Sequence, residues 1–345
     1  MKMDGDTMKL YDVTIIGGGP VGLFTAFYCG MREMETKIIE YLPYLGGKVS
    51  YFYPEKLIGD IGGIPAITGE DLIKHLEEQA RTFDPAIVLN QQVMGVERLS
   101  DGTFLLTSHN GEQHHTKTII LATGFGSIKN SKLDLVNAEK FEGKHLFHTV
   151  EDIQHFEDQH VLIYGGGNSA VDWAIRLLPI AKQVTVVHRR DEFSGIERNI
   201  TILKNSKAAI MTPFILDSLH GDEVLRSVRV KHIKTNEIKE IEVDRVLLNH
   251  GFSIDLGEIK QWGLEFENGS IKVDRSMQTS IEGIFAVGDI AGYENKLHLI
   301  SGGFSEGPTA ANSAKAYINP DKNLKPIFST THSKLQRLRK SGNTN

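Results

Sequence analysis

The residues best suited to chemistry lie in two glycine clusters. Gly17, Gly19 and Gly22, with Pro20 among them, fit G-x-G-x-x-G in I-I-G-G-G-P-V-G-L. The first glycine permits a tight turn, the second lets backbone approach a pyrophosphate, and the third allows close helix–strand packing. A helix starting there turns unpaired N–H groups and its positive dipole end toward phosphates. Glu40 follows roughly 20 residues on, where a ribose hydroxyl needs an acceptor. The second cluster is Gly165, Gly167, Asn168, Ser169 and Ala170. Its next strand ends in His188-Arg189-Arg190, where the first ends in Glu40. Opposite charge at equivalent positions implies two dinucleotides, one with a free ribose 2′-hydroxyl and one with a 2′-phosphate. FAD and NADPH are the natural pair.

The elements around these clusters must hold them. Val13, Ile15 and Ile16 read as a buried strand, Leu23, Phe24 and Phe27 as one face of a helix, and Thr36 to Glu40 as a parallel strand. The series repeats as Val161 to Tyr164, a helix through Trp173, Ile175 and Leu178, and Val184 to Val187. A plain glycine turn has no such context. Thr118 to Gly124 reads as a buried strand closing in a small-residue turn, so that Gly124 lets backbone approach the first dinucleotide. Ile284 to Asp289 reads as another, with Asp289 at the ligand edge and able to bind a ribityl hydroxyl. The small residues of Gly303 to Ala314 let a helix dock end-on near the flavin ring. Leu42 to Pro65 is long, irregular and rich in glycine and aromatics, either an Ω-loop packed on itself or the wall of a flavin pocket with Tyr53 stacked on the ring. Thr68 starts a helix with Leu72, Leu76 and Ala80 on its apolar face. Val88 to Val96 and Phe104 to Thr107 read as strands around an Asp101-Gly102 hairpin turn. His114-His115 point to opposite faces of a strand, which disfavours a shared metal and suggests a solvated pair.

A chain of 345 residues suggests two domains. With 40% apolar and 24% charged residues it has an ordinary globular composition, and a formal charge of −6 argues against a bulk nucleic-acid binder. Its one cysteine, Cys29, cannot build a disulfide framework or a structural zinc site, which points to a reducing, cytoplasmic compartment. Met1 to Leu10 is polar, so no secretory signal is expected, and the glycines between Val13 and Met31 break the one long apolar run, so no membrane span is expected. The fold class expected is α/β, with two Rossmann-like three-layer dinucleotide-binding domains. Residues 1–124 and 252–330 form a discontinuous FAD domain, 125–251 an NADPH domain and 331–345 a tail. The crossings, near Gly126 and Gly251, suit a hinge.

On I-I-G-G-G-P-V-G-L-F-T-A-F-Y, Y-P-E-K with G-I-P, G-G-G-N-S-A-V-D-W-A, V-V-H-R-R-D, F-A-V-G-D and S-E-G-P-T-A-A-N-S-A-K-A-Y, the chain resembles the thioredoxin-reductase-like ferredoxin–NADP reductases of bacteria along nearly its whole length. The resemblance implies a homodimer, each chain carrying FAD in one domain and binding NADPH in the other. It implies that Glu40 binds the adenosine ribose, Val93 the adenine by backbone, and Asp289 the ribityl chain, and that Ile128 lines the flavin. It implies that Pro326 to Thr330 cover the flavin of the partner subunit, with Phe328 against one face, opposite Tyr53, and Thr330 within hydrogen-bonding reach. Arg189 and Arg190 would hold the 2′-phosphate. Departures from the family are Phe328 for a common His, Ser194 for a further Arg, and Lys48 for Gln. A cation at 48 near the flavin N1 side would favour an anionic reduced flavin and alter its potential.

A thioredoxin reductase needs C-x-x-C, so electrons here must pass directly from flavin to an external carrier. The expected reaction is hydride transfer from NADPH to FAD, then single electrons to ferredoxin or flavodoxin. An acidic carrier calls for a basic patch, for which Lys334, Arg337, Arg339 and Lys340, or Lys129 and Lys132, are candidates. Two other readings compete. A flavin-dependent monooxygenase, or another NAD(P)H-flavin oxidoreductase, fits the two motifs and the near-fingerprint Phe141 to His148, whose histidine falls one place late. A nucleotide-dependent redox sensor lacks an appended effector segment.

Overall fold

The computed structural model describes residues 8–342 except 131–134, 136, 151, 250–251, 323–324 and 326; of these, the side chains of 127–130, 252–254 and 339–342 are outside the description. The chain forms two compact units, which divide after Ser127 and after Ser253. The described C-terminal residues, up to Gly342, group with the first unit.

In chain order the first unit runs β1 (Leu10–Ile16), α1 (Pro20–Met31), β2 (Thr36–Ile39), α2 (Gly47–Phe52), α3 (Gly69–Arg81), β3 (Ala86–Val88), β4 (Val93–Arg98), β5 (Phe104–Ser108) and β6 (Gln113–Leu121). The second contains β7 (Leu146–Phe147), β8 (His160–Tyr164), α4 (Asn168–Leu177), β9 (Gln183–Val187), α5 (Glu197–Lys204), β10 (Ala209–Met211), β11 (Phe214–Gly221), β12 (Leu225–His232), β13 (Ile238–Glu242) and β14 (Arg245–Leu248). The first unit then resumes with β15 (Ile284–Ala286), α6 (Ile300–Ile318) and α7 (Ser333–Gly342).

The first unit holds a seven-stranded sheet of order β3-β2-β1-β6-β5-β4, with β15 also on β6. β3, β2, β1, β6 and β15 pair in parallel, whereas β4, β5 and β6 form an antiparallel meander. Val13, Ile15, Ile38, Ile119, Ile120 and Phe285 are fully buried, as apolar runs covered on both faces must be. α1 lies along α6, where Gly303 and Gly307 allow the Val21 and Thr25 side chains to press in; a Cβ at either glycine would overlap them. The small residues of α6 therefore make a lateral helix contact.

The second unit repeats the plan in a five-stranded, all-parallel sheet of order β7-β14-β8-β9-β10, with a separate antiparallel sheet β11-β12-β13. Trp173 on α4 is 1% exposed and packs with Val161, Ile163, Val184 and Val186.

Two local expectations need correction. Val88 to Val96 is two strands on opposite edges of one sheet. Asn90, at φ +57°, breaks the run, and Asn90 and Gln91 donate to the Leu42 and Glu40 carbonyls. His114 is not solvated: it is 1% exposed, with Nδ1 3.2 Å from Lys37 Nζ and Nε2 2.8 Å from Gln91 Oε1. Alternation does put it on the face opposite His115, but that face is covered. The start of α3 is as expected, with Thr68 Oγ1 accepting from Asp71 N at 3.1 Å.

Candidate dinucleotide sites

Parallel register sets the first site. Ile16 is level with both Ile39 and Leu121, and Leu121 with Ala286, so the segments that follow these strands emerge along one carboxyl edge. That brings Gly17 to Gly22, Glu40, Ala122 to Gly124 and Val287 to Asp289 together, at the edge where open α/β sheets bind ligands. Gly17 has φ +110°, and a Cβ there would overlap the Ala122 carbonyl; a Cβ on Gly22 would overlap the Gly17 carbonyl. Pro20 takes the first helical position, where no N–H is missed.

Glu40 is 6% exposed and accepts from Gly18 N at 2.6 Å and Leu42 N at 2.8 Å. Burial pushes its carboxyl above the usual range, while N–H groups of Leu42, Gly18 and Tyr41 pull it down. Residues 46–48 lie over the turn, Gly46 N donating to Gly18 O at 2.8 Å. Lys48 follows, its Nζ 4.0 Å from the centroid of the Phe125 ring. Phe125 also meets the His298 ring at 5.5 Å, and His298 Nδ1 is 3.6 Å from Asp289 Oδ1. Tyr53 caps the C-terminus of α2 and is half-buried, burial holding its phenol above the ordinary value. Val93 is 6% exposed and level with Ser108 in the β4–β5 ladder.

Glu306 is a site residue that sequence reasoning missed. Only 4% exposed on α6, it accepts from Gly288 N at 2.6 Å, Tyr293 OH at 2.7 Å and Lys296 Nζ at 2.5 Å. It thereby fixes the turn that carries Asp289, and burial together with this carboxylate pushes the Tyr293 phenol up to about 12. The sequence offered Glu306 only as one polar residue among small ones, with no spacing to tie it to Lys296.

The second site repeats the first. Tyr164 is level with Val187 and with Leu248, which places Gly165, His188 and Asn249 on one edge. A Cβ on Gly165 would overlap the Asn249 carbonyl. Asn168 and Ser169 are exposed in the first turn of α4, and Ala170 is buried beneath. The loop after β9 is tied across the turn by Ser194 N to Gly166 O at 2.8 Å and Ile196 N to Asn168 Oδ1 at 2.7 Å. His188, 8% exposed, stacks on Phe193 with 5.5 Å between ring centroids. Arg189 and Arg190 are exposed.

Among the described residues, seven buried side-chain atoms lack a hydrogen-bond partner, and four stand on these edges: Lys48 Nζ and Thr123 Oγ1 in the first unit, His188 Nε2 and Asn249 Oδ1 in the second. Buried polar groups are normally satisfied, so orphans gathered where the glycine turns open fit a polar ligand at each edge. The donor sets suit the groups expected: N–H groups and an acid at the first, cations at the second.

The C-terminal segment is held on the first unit. His332 is 8% exposed and meets the Phe83 ring edge-on at 5.2 Å, Gln336 Nε2 donates to Thr330 O at 3.0 Å, and Lys334 Nζ is 3.4 Å from Asp84 Oδ2. Phe328 is 62% exposed, and Thr330 is exposed as well. The Ile128 and Lys129 side chains, Lys132, Gly251, Pro326 and the Arg339 and Lys340 side chains lie outside the described residues. In the near-fingerprint segment, His148 Nε2 is 2.7 Å from Glu142 Oε1.

The profile of the pyridine nucleotide-disulphide oxidoreductase family matches residues 11–314. The chain is 55% identical to ferredoxin–NADP reductase 1 of Bacillus velezensis over 95% of its length and 98% of the relative's. It is 49% identical to ferredoxin–NADP reductase 2 of Bacillus subtilis over 94% and 97%. Among solved structures, a thioredoxin reductase from Lactococcus lactis aligns with a TM-score of 0.72 and 29% identity, over 89% of this chain and 99% of that one. None of these relatives points to a monooxygenase.

Proposed function

We propose that this chain, which belongs to the pyridine nucleotide-disulphide oxidoreductase family, is a ferredoxin–NADP reductase that passes electrons from NADPH to ferredoxin or flavodoxin. It binds FAD and uses NADPH. In this reading the first unit holds FAD through Gly17 to Gly22, Glu40, Gly124 and Asp289, and the second holds NADPH through Gly165 to Ala170, His188, Arg189 and Arg190. Once bound, FAD supplies the redox chemistry, taking a hydride and returning single electrons. The residues of the chain bind, orient and shield. Glu40 ties the glycine turn, through Gly18 N, to the entry of the Leu42–Pro65 loop, through Leu42 N, and keeps lone pairs free for ribose hydroxyls. Glu306 holds the Asp289 turn rigid. Arg189 and Arg190 supply the fork geometry that suits a phosphate. Phe328 and Thr330 are exposed because, in the dimer we propose, they face the partner subunit's flavin. The cytoplasm is the compartment we assign.

One observation carries the choice of external acceptor: the sole cysteine, Cys29, is 0% exposed inside α1, and burial holds its thiol far above the usual range. It cannot act as a thiolate relay. Among the described residues, no helix is long and apolar enough to cross a membrane. The test is anaerobic turnover of the Cys29→Ala holoenzyme with NADPH and ferredoxin. Ferredoxin reduction within about twofold of the parent rate is expected, since losing a small buried thiol perturbs packing only modestly. Loss of ferredoxin reduction with FAD still bound would overturn the reading.

A further inference from the structure

Lys48 brings a buried positive charge to the edge where the first dinucleotide would bind. Its Nζ is buried with no hydrogen-bond partner, 4.0 Å from the Phe125 centroid, and a methyl group on Gly124 would already touch it at 3.4 Å. An ammonium stripped of water without an acceptor is costly, and an aromatic face returns only part of that cost. The titratable groups around it are few. Asp289, on the turn after β15, is engaged by His298 at 3.6 Å. Tyr53, from the loop after α2, is a neutral phenol held above its ordinary value. Desolvation brings Lys48 down to about 8, with the charge of Asp289 opposing. The ammonium is therefore mostly charged near neutral pH yet lacks an anion within bonding distance.

We propose that Lys48 is the resident counter-charge for the reduced flavin, favouring the negative charge that the cofactor gains with a hydride over the neutral oxidised form. The balance is simple: a C–H bond of NADPH breaks, its electron pair and hydrogen move to the flavin, NADP⁺ leaves, and the two-electron-reduced ring carries one negative charge; the first electron passed to a one-electron acceptor removes that charge, and the second electron leaves together with the proton, which goes to solvent. This rests on the assignment of FAD to the first unit.

The test compares parent, Lys48→Met and Lys48→Arg holoenzymes in anaerobic equilibrium with a redox dye. In Lys48→Met the equilibrium constant for two-electron reduction is expected to fall roughly tenfold, about 30 mV for a two-electron couple. In Lys48→Arg it is expected to stay within about threefold, since the charge is kept. A second readout needs no flavin. Apo Lys48→Met should melt above the parent apoprotein at pH 7, because a stranded ammonium is removed. An unfolded lysine stays protonated to about 10.5 whereas Lys48 releases its proton near 8, so the parent gains stability as pH rises across that window and the difference shrinks. An unchanged reduction constant in Lys48→Met, equal melting of the two apoproteins, or loss of FAD from both variants would each overturn the proposal. A parent protein that binds no FAD would instead overturn the assignment beneath it.

Discussion

At each ligand edge the residue that follows the second strand lies on the middle glycine of the triplet: Glu40 on Gly18 and His188 on Gly166. The backbone around them is the same twice over. Gly17 N bonds Ile39 O at 2.8 Å and Gly165 N bonds Val187 O at 2.9 Å; Ala122 N bonds Ile16 O and Asn249 N bonds Tyr164 O, both at 2.8 Å. Even the covering loops bond alike, Gly46 N to Gly18 O and Ser194 N to Gly166 O, again both at 2.8 Å. The difference lies in the side chains. A carboxylate that collects N–H groups suits ribose hydroxyls and repels a phosphate; a ring followed by two exposed arginines does the reverse. On the reading proposed above, one backbone would serve two selectivities, set by charge just after a single strand end.

The largest effects come from breaking the shared backbone. Gly17→Val should yield protein without bound flavin and a melting temperature lowered by several degrees, since a side chain driven into the Ala122 carbonyl costs about 2 kcal/mol or more. Gly165→Val should leave the flavin in place and abolish saturation by NADPH. Flavin absorbance with steady-state kinetics separates the two outcomes, and flavin loss from both variants would mean that the units do not divide the nucleotides.

Next come the charges. Removing Arg189 and Arg190 together should raise KM for NADPH roughly 100-fold while leaving KM for NADH within about twofold, given about 1.5–3 kcal/mol for each charged hydrogen bond lost. His188→Glu makes the second edge resemble the first. It should reduce the NADPH-over-NADH ratio of kcat/KM about tenfold, and an unchanged ratio would show that the strand-end residue does not select.

The smallest effect is in pH. Burial, with Arg190 and Arg189 nearby, holds the His188 imidazole below its ordinary 6.5. The unfolded chain therefore takes up the proton first as pH falls, and stability drops through and below 6.5. His188→Gln should flatten that slope in thermal melts between about pH 7 and pH 5.

Both turns were legible in the sequence because each glycine serves a backbone need visible in spacing alone, and Glu40 and His188 follow from strand length. What could not be read depends on contacts distant in sequence. Glu306 meets Gly288 and Lys296 only once α6 has packed. His114 reads as solvated until Lys37 from β2 is brought beside it. Val88 to Val96 has one strand's alternation, yet Asn90 sends its halves to opposite sheet edges, a choice fixed by bonds to Leu42 and Glu40. Lys48 was visible as a departure from the family, but that its Nζ has no partner is a fact of packing.

The most direct measurement is the electron capacity of the holoenzyme in an anaerobic NADPH titration followed by back-titration with oxidised ferredoxin. Two clefts with no thiol relay call for two electrons per bound flavin, both recovered as reduced ferredoxin. Uptake of four electrons per flavin, or reduced protein that ferredoxin cannot reoxidise, would contradict it.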